Sequence, residues 1–141
     1  MKTDMNEIIS GKNLVTNGVM SEQFVAQHLS YRYQGQQPPD LFYWLKDKDT
    51  AKAEVDFLIE DQSKIFPVEV KSNKITRLKS LLWFLYEKKQ STGIRIANEL
   101  FAVTSVSEKL SDGKKAVSVK ARLITLPHYH IEKLLDLISK V

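Results

Sequence analysis

Two strand-like runs a few residues apart constrain this chain more than any other feature. Ala53 to Glu60 and Ile65 to Ser72 are built from alternating apolar residues, yet Glu54, Asp56, Glu69 and Lys71 are set into them. Charged groups seldom belong on a strand otherwise built for burial. Alternation puts Val55, Phe57 and Ile59 on one face of the first run, opposite Glu54, Asp56, Leu58 and Glu60. On the second, Phe66, Val68 and Val70 oppose Ile65, Pro67, Glu69 and Lys71.

Pairing the two as a hairpin closed by a loop over Asp61 to Lys64 gives one register. Glu60 meets Ile65, Ile59 meets Phe66, Leu58 meets Pro67 and Phe57 meets Val68. Asp56 then meets Glu69, Val55 meets Val70 and Glu54 meets Lys71. One face is wholly apolar and the other carries all the charge. A slip of one residue sets Asp56 against Val68 and spoils both faces. Asp56 and Glu69 are therefore expected as cross-strand neighbours, about 5 Å apart between β-carbons. A divalent cation between them would relieve the repulsion, and hard oxygen ligands suit Mg²⁺ or Mn²⁺. Lys71 points the same way and can hold a phosphate or a metal-bound water. The competing reading of Asp56, Glu69 and Lys71 is a structural ion-pair cluster on a solvent-facing sheet. Glu54 is either a spare ligand or a partner for Lys71.

A helix expected from about Gly18 to Tyr31 adds a further acid. Val15, Val19, Glu22, Ala26 and Leu29 form a single helical stripe in which Glu22 alone is polar. Glu22 either completes a metal site with the strand acids or lies at the edge of the stripe and reaches water.

The remaining elements follow from periodicity. Leu41 to Lys46 reads as a strand; Leu78, Leu81, Leu82 and Leu85 mark a helix over Thr76 to Lys89. Gly93 to Asn98, Leu100 to Val106 and Ala116 to Leu126 read as strands, the last two around a turn at Ser111-Asp112-Gly113. A closing helix presents Ile131, Leu134, Leu135 and Ile138. This order predicts an α/β (α+β) fold with a mixed sheet flanked by helices.

At 141 residues, 43% of them hydrophobic, the chain is expected to form a single domain, 1–141, with its own core. It has no cysteine, which excludes disulfides, thiolate catalysis and zinc–cysteine sites. The polar start, Met1 to Ser10, shows no leader pattern, and the longest apolar run, Leu81 to Tyr86, is far short of a membrane span. A cytoplasmic location with no membrane partner is the expectation. Net charge is +4, and Lys71, Lys74, Arg77, Lys79, Lys88 and Lys89 crowd into one stretch opposed only by Glu87. That stretch is either a phosphate-facing patch or an ordinary solvated helix face.

Other candidates carry less. His128 and His130 flank Tyr129, and strand alternation would present both imidazoles on one face. His28 fits a helix interface. Trp83, Phe84 and Tyr86 either stack bases or, as is usual at helical spacing, fill the core.

Glu22, Asp56 and the Glu69-Val70-Lys71 triplet, in this order on helix, strand and strand, resemble the PD-(D/E)xK nuclease superfamily. More narrowly, Asn17-Gly18 leading into Glu22-Gln23-Phe24-Val25, Glu54 to Ile59, Pro67 to Ser72, Leu78 to Leu81 and Leu126-Pro127 resemble the DUF4143 domain. That domain forms the C-terminal part of many AAA-type ATPases. The resemblance spans about Asn17 to Ile131. It implies a restriction-endonuclease-like core of order α-β-β-β-α-β, with extra strands and a terminal helix. It implies Mg²⁺-dependent phosphodiester hydrolysis of nucleic acid, with Asp56, Glu69, the Val70 carbonyl and Glu22 as metal ligands. Lys71 would stabilise hydroxide and the developing charge, and Lys74, Arg77 and Lys79 would follow the nucleic-acid backbone. The alternative is a catalytically idle, nuclease-like binding or regulatory module. Val55 stands where the superfamily's motif has proline. No Gly-x4-Gly-Lys-Ser/Thr loop is present, and Gly11-Lys12-Asn13 does not supply one. The expectation is therefore a fragment whose ATPase portion lies upstream.

Overall fold

A computed structural model describes residues 18–32, 42–46, 53–71, 78–138 and 140. Helix α1 (Gly18–Arg32) precedes β1 (Phe42–Lys46), β2 (Ala53–Asp61) and β3 (Lys64–Val70). Helix α2 (Lys79–Lys88) leads to β4 (Thr92–Ile96), β5 (Ala102–Ser111) and β6 (Ala116–Leu126), and a 3₁₀ segment (His128–Lys133) runs into α3 (Leu134–Ile138). The six strands form one mixed sheet, ordered β1-β2-β3-β4-β6-β5. The β3–β4 and β4–β6 pairs are parallel; the β1–β2, β2–β3 and β5–β6 pairs are antiparallel. The α+β class and mixed sheet expected from the sequence are thus present. Among the described residues, no helix is long and apolar enough to cross a membrane.

The sheet separates two cores. On one face, Val25 and Leu29 of α1 join Ile131, Leu134 and Ile138 over Ile59, Phe66, Val68, Val70, Ile94, Ile96, Ile124 and Leu126. On the other, Leu81, Leu82, Trp83, Phe84 and Leu85 of α2 cover Val55, Val119, Ala121 and Leu123. Each fully buried leucine here contributes about 1.5–3 kcal/mol. The leucine stripe forecast for α2 is buried in full, Leu78 included. Helix α2 ends at Lys89, which adopts φ 53°, and the Gln90 N–H returns to the Leu85 carbonyl at 2.9 Å. The forecast start of this helix at Thr76 falls among residues 72–77, which lie outside the described residues. Trp83 and Phe84 are core residues, whereas Tyr86 is partly exposed. Gly93 faces α2 so closely that a β-carbon there would lie 2.5 Å from Leu81 Cδ2.

The predicted hairpin register is the observed one, from Glu60–Ile65 through Phe57–Val68. The loop is shorter than forecast. Asp61 and Lys64 also pair, and Gln62 and Ser63 turn the chain with φ 47° and 65°. Two consecutive left-handed residues are what a tight two-residue hairpin demands.

Several local expectations give way. The buried stripe of α1 is Ser21, Val25 and Leu29, with Glu22 exposed beside it and Ala26 half-buried. Val15 and the Val19 side chain lie outside what is described. β5 begins at Ala102 and continues to Ser111, because its whole length pairs with β6. His128 and His130 fall in the 3₁₀ segment after Pro127 ends β6, so they share no strand face. His28 is half-buried, with its ring against Phe24.

Candidate functional site

The acidic end of the β2–β3 hairpin departs from simple alternation at one point. β1 pairs Phe42 with Leu58 and Trp44 with Val55, so Tyr43 alone faces the two residues Asp56 and Phe57. This is a β-bulge, and it re-aims side chains on the strand that carries the extra residue. Val55 and Leu58 consequently pack with the α2 core, while Phe57 and Ile59 pack with the α1 core. The sequence reading placed Val55, Phe57 and Ile59 on one face; the bulge moves Val55 to the other.

The bulge also changes what Asp56 does. The β2–β3 ladder stops at Phe57–Val68, one pair short of the Asp56–Glu69 pair predicted by continuing it. The Val70 N–H instead donates to Asp56 Oδ2 at 2.7 Å. The carboxylate thus occupies the place where a neighbouring strand's carbonyl would be. Beyond it β3 stays tied to β4, with the Lys71 N–H donating to the Ile96 carbonyl at 2.8 Å.

Glu69 is only 5% exposed. Its Oε1 is ion-paired with Lys71 Nζ, while Oε2 is buried without a hydrogen-bond partner among the described residues. Burial and the nearby Asp56 charge raise its carboxyl to about 7, outweighing the Lys71 ammonium that opposes them. Asp56 is raised chiefly by burial, against the opposing Val70 hydrogen bond and Lys71 charge. Glu22 is raised by partial burial first, then by the charges of Asp56 and Glu54, while Lys71 lowers it. Helix α1 therefore brings Glu22 within electrostatic reach of the hairpin group.

Sequence reasoning missed one neighbour. Arg95 lies directly opposite Glu69 in the β3–β4 ladder. Its Nη2 donates to Glu99 Oε2 at 2.8 Å and to Thr125 Oγ1 at 3.3 Å, and its Nε is buried without a partner among the described residues. The signal was present: an arginine between Ile94 and Ile96 breaks an apolar strand just as Glu69 does between Val68 and Val70. Of the basic residues expected along a nucleic-acid backbone, Lys79 is exposed at the start of α2. Lys74 and Arg77 lie outside the described residues.

Chemically, the group is a set of partly buried carboxylates held at raised pKa around one ammonium. Such a cluster can bind a cation, share a proton or remain an ion-pair network. Among the described residues no three acidic or imidazole side chains already stand together as a ligand set. The unpartnered Glu69 Oε2 nevertheless has the oxygen chemistry that Mg²⁺ or Mn²⁺ takes. Comparison with curated proteins and with solved structures found no match. The family model for a domain of unknown function, DUF4143, matches residues 17–122, and the chain belongs to that family.

Proposed function

We propose that this domain is a PD-(D/E)xK-type nuclease domain that hydrolyses nucleic-acid phosphodiesters with a divalent cation. The observation that carries the reading is the convergence of Asp56, Glu69 and Lys71 at the end of the β2–β3 hairpin, with Glu22 in electrostatic reach and Glu69 Oε2 unpartnered. Asp56 and Glu69 would hold Mg²⁺ or Mn²⁺, with the Val70 carbonyl and Glu22 as further ligands. When bound, the cation lowers the cost of forming hydroxide and neutralises charge on the phosphate.

The chain's own groups have separable roles. Asp56 holds the end of β3 through the Val70 N–H, which fixes where Glu69 and Lys71 project. The Lys71 ammonium, ion-paired with Glu69, opposes but does not cancel the rise that burial imposes on that carboxyl. On binding, it would move to the phosphate and offset the charge that develops there. Lys79, with Lys74 and Arg77, would contact the backbone phosphates. A cytoplasmic setting and an ATPase portion elsewhere in the same polypeptide belong to this proposal.

A second reading is favoured by one observation: without a ready-made set of three ligands among the described residues, the acids serve as a structural network. The domain would then be a nuclease-like binding or regulatory module. Nuclease assays with Mg²⁺ and Mn²⁺ on DNA and RNA, run beside Asp56→Ala and Lys71→Ala, separate the two. Cleavage that disappears in both variants supports the enzyme. Cleavage that survives both removes the proposed site, and no cleavage of any substrate leaves the binding module.

A further inference from the structure

At the opposite end of the sheet lies a basic hollow that the candidate carboxylate site does not use. A cavity of about 590 Å³ is lined by Lys64, Lys89, Lys120 and Arg122, by Ser91, Thr92, Ser105 and Ser107, and by the apolar Phe66, Val106 and Ala121, with no acidic residue. We propose that it binds a small polyphosphate, meaning a ligand carrying two or more linked phosphate groups.

The topology explains why these groups meet. Along β3, Lys64 shares a face with Phe66, Val68 and Val70, and along β4 Thr92 shares it with Ile94 and Ile96. Ser105 pairs with Arg122, and Ser107 with Lys120. Both pairs face away from Val119, Ala121 and Leu123, which belong to the α2 core. Four neighbouring strands thus present cations and hydroxyls on one side of the sheet. Helix α1 and the C-terminal helices cover the carboxyl half of that same side, over Ile94, Ile96, Ile124 and Leu126. The hollow begins one step upstream, at Thr92 and Arg122.

Charge and spacing select the ligand. Among the described residues, none of the four cations is ion-paired with a carboxylate, unlike Lys46, Lys71 and Arg95. β3 and β6 are separated by β4, so Lys64 stands about 10 Å from the β6 cations in backbone terms. Lys120 and Arg122 are about 7 Å apart along their strand. That spread suits several linked phosphates better than a single one. The concave shape suits a compact ligand better than a duplex, which needs a long exposed track. The rim is also fixed, since the Arg122 N–H donates to the Ser91 carbonyl at 2.8 Å and fastens the α2–β4 connection to β6. Lys64 precedes Glu69 by five residues, about 17 Å of extended strand, so the hollow is separate from the carboxylates.

Titration calorimetry with inorganic tripolyphosphate, in chelator to exclude metal-bridged binding, tests the proposal. The purified chain should bind, and binding should weaken at least tenfold in Lys120→Glu and Arg122→Glu. Lys133→Glu, an equal charge change at an exposed residue of the 3₁₀ segment, should leave it within twofold, as should Asp56→Ala. Circular dichroism should show all four variants folded. If they are not, Lys120→Gln and Arg122→Gln should still weaken binding severalfold. No binding, or equal loss in Lys133→Glu, overturns the proposal. So does a single-stranded oligonucleotide that binds where tripolyphosphate does not. The wild-type and Asp56→Ala results stand whether or not the domain cleaves nucleic acid, so failure here is distinct from failure of the nuclease reading.

Discussion

Asp56 Oδ2 accepts the Val70 N–H at 2.7 Å, joining the residue next to Phe57 to the one two past Val68, just beyond the last ladder pair of the β2–β3 hairpin. A backbone N–H in a half-buried position needs an acceptor, and here a side chain replaces the missing strand carbonyl. Asp56 is therefore architectural as well as a candidate ligand. Asp56→Ala should cost about 1–3 kcal/mol in urea unfolding, because it strands the Val70 donor. Asp56→Asn keeps an acceptor oxygen and should recover most of that loss while still abolishing any metal-dependent cleavage. Equal stability of wild type and Asp56→Ala would show that the hydrogen bond contributes nothing.

Glu69 sets a pH dependence with a definite sign. Its carboxyl is raised from 4.5 to about 7 in the folded chain, chiefly by burial. Between those values the folded state holds the proton more tightly than the unfolded state. The contribution is complete below pH 4.5 and is lost as pH rises through about 7. His128, lowered by burial, opposes it by losing stability as pH falls, so the comparison must be made between variants. The stability difference between wild type and Glu69→Gln should shift by up to about 3 kcal/mol from pH 4.5 to pH 8, with Glu69→Gln relatively better at the higher pH. Denaturant midpoints at the two pH values measure it.

Metal uptake should be visible in melting. If Asp56 and Glu69 hold Mn²⁺, a hundredfold excess over its dissociation constant stabilises the folded chain by about 2.7 kcal/mol. The shift should vanish in Glu69→Gln and persist in Lys120→Glu. An unchanged melting temperature at millimolar Mn²⁺ would count directly against the ligand set.

The Gln62-Ser63 turn carries two left-handed residues, neither of them glycine. Each pays a steric cost for its β-carbon. Ser63→Gly should stabilise the hairpin by about 0.5–1 kcal/mol, since relief of that cost exceeds the added freedom of the unfolded chain. Thermal unfolding of this single variant is sufficient, and destabilisation would show that the serine side chain contributes more than its strain.

How far the sequence could be read differs between neighbouring residues. The register from Glu60–Ile65 to Phe57–Val68 was legible because a slip of one would bury charge. The bulge at Asp56-Phe57 was not, because alternation continues unbroken in the residues while the backbone does not. It is set by pairing with β1, a contact that no local pattern encodes. Glu22 was identified from a stripe that proved to run one residue away, through Ser21, so its place near the hairpin follows from the docking of α1. Arg95 was overlooked although its setting between two isoleucines matched the argument applied to Glu69. The basic hollow was beyond reach, because Lys64, Lys89 and Arg122 come from three separate stretches that only the strand order unites.

Gly93 has a consequence for motion. Because Leu81 Cδ2 occupies the space a β-carbon would need, α2 is seated flush on β4, and even Gly93→Ala should cost about 1–3 kcal/mol. A helix seated that closely cannot slide along the strand without first withdrawing a leucine. The acidic margin and the cationic recess thus share one sheet, whose fourth strand is keyed to α2 through a single leucine.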